Sequence, residues 1–381
     1  MIRSHELESE DNLLLTNPRW QKEDRLRFQD AWIDLVEGRF ASQVGIATSG
    51  SSGGFGSLVL LSKKALRSSA VAVNERLAAT SSDVWFKTLP DFHVGGLGII
   101  VRAKLSGSSV VEDESERWEA KTFHRKLLSS HATLLSLVPT QLFDLVREKY
   151  EAPAGLRFVI VGGGRLEENL REKARELGWP VLPSYGMTEA SSQIATALSP
   201  DEPKLMPLSH VDVAVDEDGK LKVRGASLLT AKIAFDLEGR PTLTDPKQDG
   251  WFTSEDRGVV LDDGSLRIEG RSHDFVKIGG EGVVVSRLEE KLEIAKLRLG
   301  FMKDAAVVAA KDERLGAKIV LLTTASESEA QVLVESFNSG VAPYERVRST
   351  HVVNEIPRSE LGKLLRGRAL ALVGFEPATN V

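Results

Sequence analysis

The chain has 381 residues, 41% hydrophobic and 27% charged, with 32 Gly, 14 Pro and no Cys. That is an ordinary globular composition with chain enough for two or three domains, and it excludes collagen-like, low-complexity and disulfide-stapled classes, cysteine-ligated zinc, iron–sulfur clusters and thiol nucleophiles. Lys and Arg number 49 against 55 Asp and Glu, a net charge of -6, so the global field does not favour nucleic acid and an anionic ligand needs a local site.

The opening MIRSHELESEDN is acidic where a secretory leader needs an apolar stretch, and no run of about 18 apolar residues follows, so a soluble, cytoplasmic protein without membrane insertion is expected. Residues 18–37 read as a polar helix. Val44 to Ala47 and Leu58 to Leu61 are apolar runs flanking a Gly/Ser-rich loop, and helical spacing covers 63–79 behind Ser62 as N-cap. Thr133 to Val138 and Phe158 to Val161 read as buried strands; 140–149 and 166–177 read as helices, the second ending at Gly178. Strand, helix, strand in that order implies parallel pairing and an α/β core. After about residue 210 the segments VDVAV, KLKVRG, GVVLDDGSLRIEG and FVKIGG carry hairpin signals, with Asp263-Gly264 as a turn. From Arg287 the pattern is helix, strand (Ala305 to Ala309), strand (Ile319 to Thr323), helix (327–338), strand (His351 to Val353), helix. The expected fold is α/β: a large domain over 1–272 with layered sheets and a small added β-subdomain, then a small α+β domain over 273–381.

Four segments carry candidate chemistry. TSGSSGGFGS (48–57) can turn several backbone N–H groups and hydroxyls toward a polyanion, because glycine permits the dihedrals that converge them. Its other reading is a flexible surface linker. It is neither a Walker A loop, which needs G-x-x-x-x-G-K-[ST] between strand and helix, nor a dinucleotide fingerprint, whose third glycine and following helix are missing. In SYGMTEASSQIAT (184–196), the Thr188 hydroxyl beside the Glu189 carboxylate suits a phosphate oxygen and a Mg²⁺ ion together; alternatively T-E-A is a plain helix start. In GWFTSEDRG (250–258) and EGRSHDFVKIGGEG (269–282), Asp256 suits the two hydroxyls of a ribose, and Arg271 either supports the nucleotide or makes a surface salt bridge. Lys363 lies in IPRSELGKLLR near the chain end, where an isolated lysine is usually only solvated.

Taken in order, the Ser/Thr/Gly loop, YGxTE, W-x-x-[ST]-x-D, GR-x-x-D with a following GG, and P-x-[ST]-x-x-G-K resemble the adenylate-forming superfamily of acyl-CoA synthetases, adenylation domains and luciferases, over residues 45–370. LPDFHVGGLGII (89–100), LVPTQL (137–142), FVIVGGGRL (158–166) and the Ser-Gln after the TE motif are most similar to the o-succinylbenzoate–CoA ligases of menaquinone synthesis. The resemblance implies an acid–thiol ligase that makes an acyl-AMP from a carboxylic acid and Mg·ATP, then transfers the acyl group to CoA. Carried over motif by motif, it implies that Thr48, Ser49, Gly50, Ser51, Ser52 and Gly53 hold the β- and γ-phosphates, Thr188 meets the α-phosphate and Glu189 binds Mg²⁺. Gly162, Gly163, Gly164, Tyr185 and Gly186 would flank the adenine, and Asp256 with Arg271 would hold the ribose. Lys363, on a mobile tail domain, would bridge carboxylate and phosphate during adenylation, and a rotation about 272–274 would exchange it for the Lys277 loop. His93 would border the acyl pocket, its other reading being a satisfied core histidine; Thr140, Ser192 and Gln193 are candidate contacts to a substrate keto or second carboxylate group. A homodimer is a further implication of the family.

The chain departs from that pattern in several places. The loop continues Gly54-Phe55-Gly56-Ser57, without the usual lysine, and His273, Glu255 and Gly282 replace common family residues. The loop also begins at residue 48, where the family usually has over a hundred residues before it, which implies a shortened first subdomain. Another aryl- or acyl-CoA ligase, a carrier-protein adenylation enzyme and a non-catalytic nucleotide-binding paralogue are the alternative functions.

Overall fold

A strand that is apolar on both faces must be covered on both, and Ser57–Ser62 (SLVLLS) is such a strand. In the computed structural model, which describes residues 4–48, 56–113, 115, 117–236, 238–271, 275–359, 362 and 364–378, it is the middle strand of a five-stranded sheet ordered Leu13–Leu15, Gln43–Thr48, Ser57–Ser62, Ala231–Phe235, Pro241–Thr244. The first pair is parallel and the others antiparallel. On one face Val44, Ile46, Val59 and Leu61 pack with Leu66, Leu97 and Val101, from helices Lys63–Leu77 and Val94–Ser106. On the other, Ala47, Leu58, Leu60, Ala231 and Ile233 pack with Phe28, Ala31 and Trp32 of helix Lys22–Leu35. The expected N-cap is present: Ser62 Oγ accepts a hydrogen bond from the Ala65 N–H at 3.0 Å.

The second sheet holds seven strands. Five are parallel, in the order Val181–Met187, Phe158–Val161, Leu134–Leu137, Val84–Lys87, Ser109–Glu112. Antiparallel strands Ser192–Thr196 and Met206–Pro207 extend it beyond Val181–Met187. Across the sheet the chain order of the parallel strands reverses between Val84–Lys87 and Leu134–Leu137, which makes the carboxyl ends of those two strands the topological switch point. The helix Val94–Ser106 has no clear signal in the sequence because Gly95, Gly96 and Gly98 lower its propensity. Packing explains two of them. A Cβ on Gly96 would lie 2.2 Å from the Pro90 carbonyl oxygen, and one on Gly98 would lie 2.9 Å from Arg102 Nη2.

By contact the chain divides into Met1–Ser254 with Gly258–Arg267, and Glu255–Arg257 with Ile268–Val381. The β-rich end of the first unit includes the antiparallel pair Val211–Val215 and Lys220–Gly225, and the Asp263-Gly264 turn, where Gly264 takes φ of 78°. In the second unit, Ala305–Asp312 pairs antiparallel with Gly316–Thr323, which pairs parallel with Val347–Val352. Leu288, Leu292, Leu333 and Phe337 of helices Val285–Leu299 and Glu327–Ser339 cover one face, and Ala369 and Leu370 of Arg366–Leu372 cover the other. The proposed pivot at 272–274 lies outside the described residues.

Gly45 is the tightest point between the five-stranded sheet and its outer helix, since an added Cβ would lie 2.3 Å from the Trp32 ring. Gly45→Val therefore overpacks this face and lowers the unfolding free energy by about 1–3 kcal/mol, measured by urea denaturation. An unchanged midpoint would show that Trp32 can move aside.

Candidate active site

The carboxyl ends of the parallel strands gather several of the expected site residues. Thr88 Oγ1 donates to the Ser136 carbonyl at 3.2 Å across the switch point. Lys87, buried at the same end, pairs with Asp91 at 2.6 Å and Glu112 at 3.5 Å. These contacts brace the Leu89 to Phe92 turn that leads into His93, the N-cap residue of helix Val94–Ser106. His93 is packed against the Phe92 ring at 4.8 Å, and its Nε2 is buried without a hydrogen-bond partner. Burial pulls the imidazole from the usual 6.5 to about 4, so it is neutral at pH 7. One nitrogen of this ring is therefore unsatisfied. Thr140 is exposed, one residue into helix Pro139–Arg147 from the next strand end.

Gly162, Gly163 and Gly164 follow strand Phe158–Val161 directly. A Cβ on Gly162 would lie 3.1 Å from the Ser184 carbonyl oxygen, and Gly163 has φ of 77°, so the chain here is bare backbone for steric reasons. Such a stretch leaves backbone without side chains at the strand end. Tyr185, on the neighbouring strand, packs its ring against the first unit's core. Gly186 is required by the hairpin itself, because a Cβ there would sit 1.9 Å from the Ser192 carbonyl oxygen.

Thr188 and Glu189 occupy a single 3₁₀ turn, Thr188–Ala190, between strands Val181–Met187 and Ser192–Thr196. The helix-start reading of T-E-A thus stops at one turn. The Glu189 carbonyl accepts the Leu229 N–H at 2.8 Å, and its carboxylate faces Lys232 Nζ at 3.5 Å. No group of three or more His, Asp or Glu capable of caging a metal occurs among the described residues. One partly exposed carboxylate fits Mg²⁺, which keeps several waters and is held largely through substrate phosphates. Thr48 ends its strand with Oγ1 2.8 Å from Ser57 Oγ, closing the base of the Gly/Ser loop. Ser49, Gly50, Ser51, Ser52 and Gly53 lie outside the described residues, although the flanking strands pair as expected.

Ser192 and Gln193 point into the protein rather than toward solvent. Their partner is Arg102, which sequence reading did not single out and which is 1% exposed. Its Nη2 donates to Ser192 Oγ at 3.0 Å. Because guanidinium only donates, the Gln193 amide turns its oxygen to Arg102 Nη2 and Nη1, at 3.2 and 3.3 Å, and its nitrogen to Thr196 Oγ1 and Ser184 Oγ, at 2.6 and 3.2 Å. The guanidinium also lies over Trp85, 5.9 Å from the ring centre. Its Nε is buried without a hydrogen-bond partner, and none of its partners among the described residues is a carboxylate. Burial lowers its pKa to about 10, which still leaves it charged at pH 7. His210 feels the same environment: both ring nitrogens are buried without partners, and burial followed by the field of Arg102 brings it to about 4.

The remaining expected residues belong to the second unit. Asp256 is 9% exposed on strand Phe252–Val260, on the same face as Ser254 and Gly258, so alternation turns it inward. Lys277 is exposed on the hairpin Phe275–Ile278 with Glu281–Val284. Arg271 ends the strand Leu266–Arg271. Lys363 lies outside the described residues; beside it, the Gly362 N–H donates to the Ser359 carbonyl and Arg358 bridges Leu364.

Both lowered histidines favour the folded state when neutral. Their contribution is complete above pH 6.5 and is lost as pH falls toward about 4, because the unfolded chain then binds protons that the fold resists. The double variant His93→Gln/His210→Gln should flatten the stability loss between pH 6.5 and 4 in urea titrations. An unchanged slope would assign the loss to carboxylates.

Residues 46–228 match the AMP-binding enzyme family. The chain is 30% identical over 319 residues to a 2-succinylbenzoate–CoA ligase of Bacillus subtilis, covering 79% of this chain and 63% of the relative. O-Succinylbenzoate CoA synthetase from Bacillus subtilis, solved with the acyl-adenylate intermediate OSB-AMP, has a similar fold with TM-score 0.72 and 25% identity, over 96% of this chain and 80% of that one. The same synthetase solved with ATP and magnesium gives TM-score 0.70 at 23% identity, over 97% and 82%. The chain spans about 63% of the length of the curated ligases it matches. No helix among the described residues is long and apolar enough to cross a membrane. Sequence and fold agree in making the chain similar to AMP-binding enzymes.

Proposed function

We propose that the chain is an ATP-dependent carboxylate–CoA ligase acting through an acyl-AMP, with o-succinylbenzoate as the acid. The observation that carries the substrate assignment is the buried Arg102 guanidinium without a carboxylate partner. A buried cation lacking a counterion is costly, and a ligand carboxylate offsets that cost through paired, charge-assisted hydrogen bonds. o-Succinylbenzoate carries two carboxylates and a ketone. One carboxylate is activated, the other suits Arg102, and Ser192 and Gln193 already surround the guanidinium. The names of the similar ligases support the same acid.

In the first half-reaction a carboxylate oxygen attacks the α-phosphorus of ATP, and the bond to pyrophosphate breaks. Thr188 meets the α-phosphate, Glu189 would hold Mg²⁺, and Gly162 to Gly164 with Tyr185 flank the adenine. Mg²⁺ supplies charge neutralisation on the leaving pyrophosphate. Asp256 and Arg271 hold the ribose, and Lys363 bridges carboxylate and phosphate. In the second half-reaction the CoA thiolate attacks the acyl carbon and AMP leaves. The C-terminal domain, residues 273–381, pivots between the two steps and replaces Lys363 with the Lys277 loop. A cytoplasmic location belongs to the same proposal, since ATP and CoA are supplied there, and so does association of two copies of the chain.

Pyrophosphate release with ATP, Mg²⁺ and o-succinylbenzoate, followed by CoA thioester formation, tests this reading. Arg102→Leu should raise KM for o-succinylbenzoate by about tenfold to a hundredfold while leaving benzoate turnover little changed, and Arg102→Lys should fall between. Equal losses for both acids would remove the carboxylate role of Arg102. Lys363→Ala should abolish pyrophosphate exchange yet spare thioester formation from supplied acyl-AMP; equal loss of both would overturn the domain swap. ATP binding without pyrophosphate release for any acid would favour a non-catalytic nucleotide-binding role.

A further inference from the structure

The Gly/Ser loop contains no Lys, Arg or His between Thr48 and Ser57, so its hydroxyls and N–H groups bring no formal charge to a triphosphate. A cation stands nearby on another strand. Lys232 belongs to Ala231–Phe235, paired with Ser57–Ser62 in the register Lys232 opposite Val59 and Ala234 opposite Ser57. The next pairing sets Val59 opposite Ile46 and Ser57 opposite Thr48. Residues paired across a sheet share a face, so Lys232, Val59 and Ile46 form one row and Ala234, Ser57 and Thr48 the next, about 7 Å along the strands. Lys232 thus lies one row from the two hydroxyls that close the loop. Ala231 and Ile233 take the opposite face, against helix Lys22–Leu35, and leave Lys232 on the side of the Thr188–Ala190 turn.

The strand cannot slide from this position without breaking paired backbone groups. The Leu229 N–H donates to the Glu189 carbonyl at 2.8 Å, and the Thr230 N–H donates to the Leu60 carbonyl at 2.7 Å. Lys247 Nζ fastens the same corner through the Leu229 carbonyl at 2.7 Å and the Thr230 carbonyl at 3.3 Å. At its end, Lys232 Nζ is 3.5 Å from Glu189 Oε1, with a side chain about one-third exposed. The ammonium is therefore accessible, already beside the carboxylate assigned to Mg²⁺, and bound to no other described acceptor.

We propose that Lys232 is the cation that binds the β- and γ-phosphates of ATP in this chain. The inference rests on the proposed function above. Without nucleotide, Lys232 neutralises Glu189. With Mg·ATP bound, Glu189 would hold the metal and the flexible lysine turns its ammonium to the terminal phosphates, so both charges stay paired in both states. The pyrophosphate that leaves carries away the groups Lys232 contacts, which leaves AMP and acyl-AMP outside its reach.

That difference supplies the test. Calorimetric titration of the wild-type chain, Lys232→Met and Lys232→Arg with ATP and with AMP, each with Mg²⁺, separates a phosphate contact from a general loss. Lys232→Met should weaken ATP binding by about tenfold to a hundredfold, change AMP binding by less than about threefold, and Lys232→Arg should restore most of the ATP affinity. ATP binding unchanged in Lys232→Met, or ATP and AMP weakened alike, overturns the role and leaves Lys232 as an ordinary partner of Glu189. A wild-type chain that binds neither nucleotide overturns the proposed function together with this inference.

Discussion

A guanidinium buried without a carboxylate sets the terms for the interior of the first unit. Arg102 is held by Ser192 and Gln193 of one strand and the face of Trp85 on another. Each contact constrains something else. Gly98 gives up its side chain so that the guanidinium can lie along its own helix. Ser191 and Ser192 take φ values of 57° and 109°, an arrangement supported by the Ser191 hydroxyl on the Ser227 carbonyl at 2.7 Å and by Arg102 on Ser192. His210 stays neutral in the same field. A charge this constrained fixes the geometry around it better than it supports stability, since burying it costs free energy.

The second organising contact lies where the two sheets of the first unit meet at the Thr188–Ala190 turn. Leu229 donates to the Glu189 backbone while Lys232 faces its side chain. The strand after residue 230 therefore reports on both the carboxylate and the mouth of the Gly/Ser loop. Sheet pairing sets residues 48, 57 and 232 in adjacent rows, and the Glu189 carboxylate of the turn faces Lys232. At the switch point His93 and Thr140 follow adjacent strands, and Gly162 to Gly164 follow the next.

Elements with strong periodicity or firm punctuation were legible in the sequence. The strand Phe158–Val161 ends before its glycines, the helix from Lys63 begins behind Ser62, and the helix over 168–176 ends ahead of Gly178. The segments that escaped are those whose local signals oppose their structure. Val94–Ser106 is helical despite three glycines because Gly95 and Gly96 let it lie against Leu89 and Pro90, and Gly98 leaves room for the Arg102 guanidinium of the same helix. Ala231–Phe235 and Pro241–Thr244 are short strands within a charged, glycine-punctuated stretch and gain their stability from pairing.

By itself the sequence determined the α/β class and placed Thr188, Glu189 and Gly162 to Gly164 at turns and strand ends, since turn chemistry and short-range spacing are local properties. Arg102 and Lys232 were invisible in it, because a lone arginine in a helix and a lone lysine in a strand look like ordinary solvated charges. Only the tertiary structure buried one beneath Ser192 and Gln193 and set the other beside Glu189. The physical reason is that solvation and charge pairing depend on segments far apart in the chain, which meet through sheet register and packing.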